Sequence, residues 1–285
     1  IIPGIICMGM RGFNFGIDFT GGTIMDLHFE KPVTLPEVRT SLAKYGLDGS
    51  TIQLSGAASG VESSENVMIR TVDLKENQRK EVMASLTQDV GSYTVLREEK
   101  VGATIGGELI TNAVLALVIS WGLIIVYVAY RFEWRFGVSA VLALIHNILI
   151  VLAVFSFTQR QIDSSFIAAL LTIVGYSIND TIVIFDRIRE NLKLHFRRDG
   201  DIEELVNRSI YQTLTRSLYT VFTVLFTTFA LYWFGGETTK DFAFALLVGF
   251  AVGCYSSIFI ASQFWIELRN RTDQRPAAKP AAVEG

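Results

Sequence analysis

Cysteine is almost absent from this 285-residue chain: there are two, Cys7 and Cys254, both in apolar runs. Residues 12–104 contain none, so no disulfide framework is implied, and neither cysteine stands at a metal-ligand spacing. Histidine is nearly as scarce, and His28, His146 and His195 lie too far apart in sequence to form a ligand motif. No Ser-His or zinc motif occurs, so no catalytic residue, metal or cofactor is expected. The net charge of −3, with no basic-aromatic cluster, argues against a nucleic-acid partner. The first apolar run, 1–10, lacks the basic n-region of a signal peptide. It is too short to cross a bilayer. Residues 1–11 are therefore expected to be the outer end of a first transmembrane helix whose beginning lies outside the sequence.

Half the residues are hydrophobic, and the excess is concentrated after residue 105. Residues 12–104 read as a soluble domain. It opens on Gly16, Asp18, Gly21 and Gly22, where the glycines predict tight backbone turns. No Lys-Ser/Thr follows, so this is not a phosphate loop. Alternation then predicts strands over 23–30, 50–54, 66–72 and 93–101. Helices are expected from a Thr34 cap to Lys44, and over 75–89 with Val82, Leu86 and Val90 on one face. Residues 57–60 are expected to form a loop. The order β-α-β-β-α-β is the split pattern of ferredoxin-like α+β domains, a fold that names no function by itself.

Five apolar runs follow, about 109–130, 136–157, 165–185, 214–234 and 242–266, each long enough to cross a hydrocarbon layer of about 30 Å. With the remnant at the start they predict a six-span membrane α-helical bundle over 105–268, into which the soluble domain is inserted after the first span. Arg131, Arg135, Arg187, Arg189, Lys193, Arg197, Arg198, Arg208 and the basic residues after 268 fall on one side. Arg160 and Lys240 fall on the other. The basic side is expected to be cytoplasmic. The inserted domain then faces outward, and 269–285 is a disordered cytoplasmic tail.

One carboxylate stands well inside a span. Asp180 lies within the fourth apolar run, and a buried carboxylate there marks an ion path, a proton relay or a buried pair. Thr172, Tyr176, Asn179 and Asp180 are expected to share a face. Arg216, Thr220, Thr223 and Thr227 line a stripe in the next span. Arg216 enters from the same side at similar depth and is the expected partner of Asp180. A proton relay is the expected chemistry, with Asp180 changing charge state as the helices shift. His146 and Asn147, with Ser139 and Ala143, mark the third span as possible support. Gly249-x-x-x-Gly253 predicts close helix packing in the last.

At these residues the chain resembles the SecF family, the smaller membrane subunits of the SecD–SecF accessory complex of bacterial protein export. The likeness rests on Phe15 through Gly22, on Val101, Gly102 and Leu109, and most specifically on Gly175 to Val183 with Phe185 to Asn191. It implies a six-span half of the resistance-nodulation-division superfamily in the bacterial inner membrane, using proton-motive force to assist polypeptide at the outer face. It implies SecD, the SecYEG translocon and YajC as partners, with translocating polypeptide and protons as what it handles. Its intramembrane acid falls on Asp180 and its following arginine on Arg216. Many relatives read His-Asp where this chain has His146-Asn147, so no titrating role carries over to Asn147.

Two other readings stay open at this stage. A proton-coupled exporter of small molecules or lipids would use a larger external domain. An intramembrane aspartyl protease needs two close carboxyls, and the nearest others, Glu133 and Asp186, lie at the span boundaries.

Overall fold

The computed structural model describes residues 2–55, 63–195 and 201–273, and it divides into two compact units. The expected loop at 57–60 lies outside the described residues. The first unit takes in residues 14–115 with 161–164. The second takes in 1–13, 116–160 and 165 onward.

The first unit is built on a four-stranded antiparallel sheet. Its strands are β2 (Gly22–Thr34), β3 (Thr51–Ser55), β4 (Ser63–Thr71) and β5 (Tyr93–Val101), in the order β3-β4-β2-β5. Two helices, α3 (Leu35–Ala43) and α4 (Glu76–Asp89), intervene in the expected β-α-β-β-α-β sequence. Strand alternation sends Met25, Leu27 and Phe29 into the same core as Val38, Leu42, Val82 and Leu86. Thr34 and Glu37 close the start of α3 as a capping box. Asp89 at the end of α4 accepts from Ser41, Ser85 and Lys44, which ties the two helices together.

Three short pieces went unread in the sequence. Strand β1 (Asn14–Phe15) pairs in parallel with β6 (Gln161–Ile162), and a single turn of helix, α2 (Ile17–Thr20), precedes β2. The pairing bridges almost 150 positions, and two-residue strands carry no periodicity to detect.

The second unit is helical. Five stretches are long and apolar enough to cross a membrane. They fall within α5 (Ala103–Arg131), α6 (Trp134–Thr158), α7 (Ser164–His195), α8 (Ile202–Phe234) and the last stretch. That last stretch runs α9 (Glu237–Ser256), a π-helical segment (Ser257–Ala261) and α10 (Ser262–Asp273). The ten-residue α1 (Ile2–Arg11) packs along α6, its Gly4 set so close to Ala153 that a larger residue would collide. The close approach expected of Gly249 and Gly253 is present. A Cβ at Gly249 would strike Ile173, and one at Gly253 would sit 3.3 Å from Ser177 Oγ. Phe136, Phe185 and Trp265 fill one end of the bundle, with Phe136 stacked on Trp265 at 4.8 Å.

One expected boundary needs correction. Helix α10 runs to Asp273, past the expected tail boundary at 268, because Arg271 pairs with Glu267 and Arg269 lies over Trp265. The expected boundary at 104 lies one residue inside α5, whose apolar span begins at Gly106.

Candidate functional site

Helix α7 has thirty-two residues, about 48 Å at helical rise, so it exceeds the roughly 30 Å of hydrocarbon. Its inward face carries Ile173, Val174, Ser177, Asp180, Thr181, Ile184 and Phe185, all buried. Asp180 is 7% exposed. Its Oδ1 accepts from the Ser217 hydroxyl of α8 at 2.5 Å. Its Oδ2 is closed off and has no hydrogen-bond partner among the described residues. With one donor in reach, the charge state of such a group depends on what neighbouring helices bring to it.

The expected partner, Arg216, is the residue before Ser217. Among the described residues no ion pair joins it to Asp180, although its charge acts on the carboxyl from a longer distance. The arginine is exposed while the serine is buried, because successive residues on a helix point about 100° apart.

The same geometry corrects the expected shared face. Thr172 and Asn179 are exposed and Tyr176 is half-buried, whereas Asp180 turns inward. By helical rotation Asp180 lies about 80° from Thr172. Tyr176 donates to the Thr220 carbonyl at 2.7 Å and packs on Phe250. Thr220, Thr223 and Thr227 are exposed on α8 and return their hydroxyls to carbonyls of their own helix.

A second polar group surrounds the α7 backbone beside Asp180. Asn147 donates to Ser177 Oγ at 2.9 Å. The Thr181 hydroxyl lies 2.8 Å from that of Ser257, at the start of the π segment, and Ser257 also donates to the Ser177 carbonyl. His146 is half-buried and contacts Asn147 Oδ1 through Nδ1 at 3.3 Å. Ser177, Thr181 and Ser217 were missed in the sequence, and Ser257 was legible there only as a small residue for close helix packing. The available signal was spacing: Ser177 precedes Asp180 by three positions and Thr181 follows it directly. Of the boundary carboxylates, Asp186 pairs with Arg189 at 2.7 Å.

The glycine motif lies in the sheet-bearing unit. Gly16 donates its N–H to the Ile162 carbonyl at 2.7 Å. Gly21 and Gly22 adopt φ of 71° and 143°, and a Cβ on Gly22 would meet the Thr71 carbonyl, so these turns require glycine. Asp18 Oδ2 accepts from both the backbone N–H and the hydroxyl of Ser164, at 2.7 and 2.6 Å. Among the described residues no cluster of three or more His, Cys, Asp or Glu side chains is arranged to hold a metal.

Residues 81–271 match the family described as "Protein export membrane protein SecD/SecF, C-terminal", and residues 8–33 match the "SecD/SecF GG Motif". Over 95% of its length the chain is 51% identical to the protein translocase subunit SecF of Acidaminococcus fermentans, of which it covers 92%. It is 42% identical over 94% of its length to the protein translocase subunit SecDF of Thermus thermophilus, spanning 36% of that longer protein. The crystal structure of Thermus SecDF, described as a translocon-associated membrane protein, superposes with a TM-score of 0.83. The identity is 41%, over 95% of this chain and 36% of that one.

Proposed function

The chain belongs to the SecD/SecF family of protein export membrane proteins, and from that premise we propose that it couples a proton gradient to export through Asp180. It is a multi-pass membrane protein, with five helices long and apolar enough to span, and its role is that of an accessory subunit in Sec protein export. The coupling reading is carried by one observation: a buried carboxyl with one partnered and one unpartnered oxygen, deep among apolar helices.

Asp180 is held by Ser217 in the arrangement described above. A relative movement of α7 and α8 changes the distance from Asp180 to Arg216. Drawing the guanidinium close stabilises the carboxylate, and withdrawing it leaves a desolvated group that takes up a proton. The membrane potential supplies about 2.3 kcal/mol per charge per 100 mV, enough to bias such a switch. No covalent chemistry is needed, so the subunit acts as a coupling element and not as an enzyme.

The exposed strip of Thr172, Asn179, Arg216, Thr220 and Thr227 supports a partner within the membrane. An arginine facing hydrocarbon is costly, so a second helical half covers this face. SecD is the proposed partner, in keeping with the single-chain SecDF relatives. The SecYEG channel, YajC and the translocating polypeptide follow from the same premise. The sheet order β3-β4-β2-β5 supports a ferredoxin-like fold for the sheet-bearing unit, and the basic residues on the opposite side favour its lying outside the bacterial inner membrane.

The experiment is Asp180→Asn in the complex, reconstituted in vesicles with an imposed proton gradient. Release of exported polypeptide loses its gradient dependence while membrane insertion and assembly persist. Undiminished gradient dependence in that variant removes Asp180 from the mechanism.

A further inference from the structure

Helix α7 is shared between the two units. Its first residue, Ser164, belongs to the sheet-bearing unit and the remainder to the helical one. What holds that first residue is a side chain from far away in sequence. Asp18 sits in the glycine motif between α1 and β2, and its Oδ2 takes both the N–H and the Oγ–H of Ser164. The first turn of a helix has N–H groups with no partner inside the helix, and it carries the positive end of the dipole. A carboxylate there fills the role of a capping residue, here supplied from another part of the chain.

The surrounding contacts reinforce this point. The loop's Gly16 N–H bonds to Ile162, and β1 pairs with β6 immediately before α7 begins. On the loop's other flank the backbone of Phe19 lies so close to Gly106 in α5 that a Cβ there would collide with it. Residues 14–22 thus grip the first turns of two long helices, α5 and α7, and lead directly into the central strand β2. Asp180 stands sixteen residues along α7 from Ser164, about 24 Å at helical rise.

We propose that Asp18 is a positioning residue for the Asp180 relay: by capping α7 it couples the sheet-bearing unit to the helix that carries the relay carboxyl. The inference rests on the coupling function proposed above. A displacement of β2 is passed along the glycine loop to the start of α7 and, through an unbroken helix, to Asp180. The reverse transfer runs along the same path. Asp18 acts there as a hydrogen-bond acceptor, so the role belongs to any side chain that brings an accepting oxygen to the same place.

The test uses the complete complex in vesicles, with wild type, Asp18→Asn, Asp18→Ser, Asp18→Ala and Ser164→Ala. Asn presents an accepting oxygen at the same reach as Asp, the Ser hydroxyl is one bond shorter, and Ala has no acceptor. Two quantities are read: amide exchange over residues 164–168, and the stimulation of polypeptide release by a proton gradient. Asp18→Asn retains both, and Asp18→Ser, with its shorter reach, falls below it. Asp18→Ala exchanges at least tenfold faster in that segment and loses at least fivefold in stimulation. Ser164→Ala, which removes one of the two bonds, falls between and serves if Asp18→Ala does not assemble. Full stimulation in Asp18→Ala with its first turn unprotected overturns the proposal. So does an Asp18→Asn variant as impaired as Asp18→Ala, since the charge and not the cap would then matter. A wild-type complex with no gradient stimulation overturns the Asp180 reading itself and the coupling role of Asp18 with it. The exchange data still separate that outcome from a cap that never formed.

Discussion

The hydroxyl of Ser217 lies 2.5 Å from Oδ1 of Asp180, so the residue that reaches the buried acid is the neighbour of the arginine and not the arginine itself. The serine is buried and the arginine exposed, one helix position apart. The carboxyl therefore has a fixed neutral partner in Ser217, and only in the proposed coupling does the arginine act as a second, charged one.

Ser217→Ala removes that fixed partner. A hydrogen bond to a charged group contributes about 1.5–3 kcal/mol, and a buried acceptor left without a donor bears its full desolvation cost. Gradient-driven export is expected to fall roughly tenfold or more, while Ser217→Thr, which keeps the hydroxyl, retains most of it. Release assays on the two variants side by side check this.

Replacing Gly249 tests the close packing of α9 on α7. Gly249→Ala puts a methyl into the space occupied by Ile173, and overpacking of this kind costs about 1–3 kcal/mol. The melting temperature of the purified protein in detergent drops accordingly. Ile173→Ala in the same chain recovers part of the loss, and the double-mutant cycle returns a coupling term of the opposite sign.

Arg160 is held from three sides. It donates to Asp241 at 2.7 Å and to the Tyr232 hydroxyl at 2.8 Å, and it lies 4.2 Å over the Phe244 ring. A lysine cannot reproduce the planar fork or its stacking. Arg160→Lys should therefore destabilise the protein nearly as much as Arg160→Ala, by about 1–3 kcal/mol, in a thermal melt at constant ionic strength.

The α3–α4 clamp carries a pH dependence of known sign. The Lys44 ammonium, followed by the Ser85 and Ser41 hydroxyls, holds the Asp89 carboxyl below its ordinary range against the opposing effect of burial. A group lowered in the folded state contributes stability above its unfolded value, about 3.9, and loses that contribution as pH falls through the lower folded value. Amide protection in α3 and α4 is expected to weaken as pH drops below about 4. Asp89→Asn removes that step, and added salt reduces it.

The sequence reading succeeded where a periodic signal was long. Apolar runs gave the five long helices, alternation gave the four sheet strands, and Thr34 with Glu37 gave a helix start that the capping box matches. Asp180 stood out because a carboxylate in an apolar run is rare in itself. What was not legible depends on contacts between distant positions. The hydroxyls of Ser177, Thr181 and Ser257 look like ordinary small helix residues until three helices bring them together. Asp18 reads as part of a glycine-rich turn, and nothing in its neighbours points to Ser164. The choice between Arg216 and Ser217 turned on one step of helical rotation, finer than counting residues from a span boundary can resolve.

The π segment Ser257–Ala261 fits extra chain into its turn, and this rotates the following helix by close to a third of a revolution relative to a regular α-helix. Trp265 lies beyond that rotation and stacks on Phe136 at 4.8 Å. Deleting one residue from this segment would make the helix more regular and the protein worse: the indole would swing out of its stack, and every residue after it would face the wrong neighbour. Length at this point is thus as much a part of the design as residue identity.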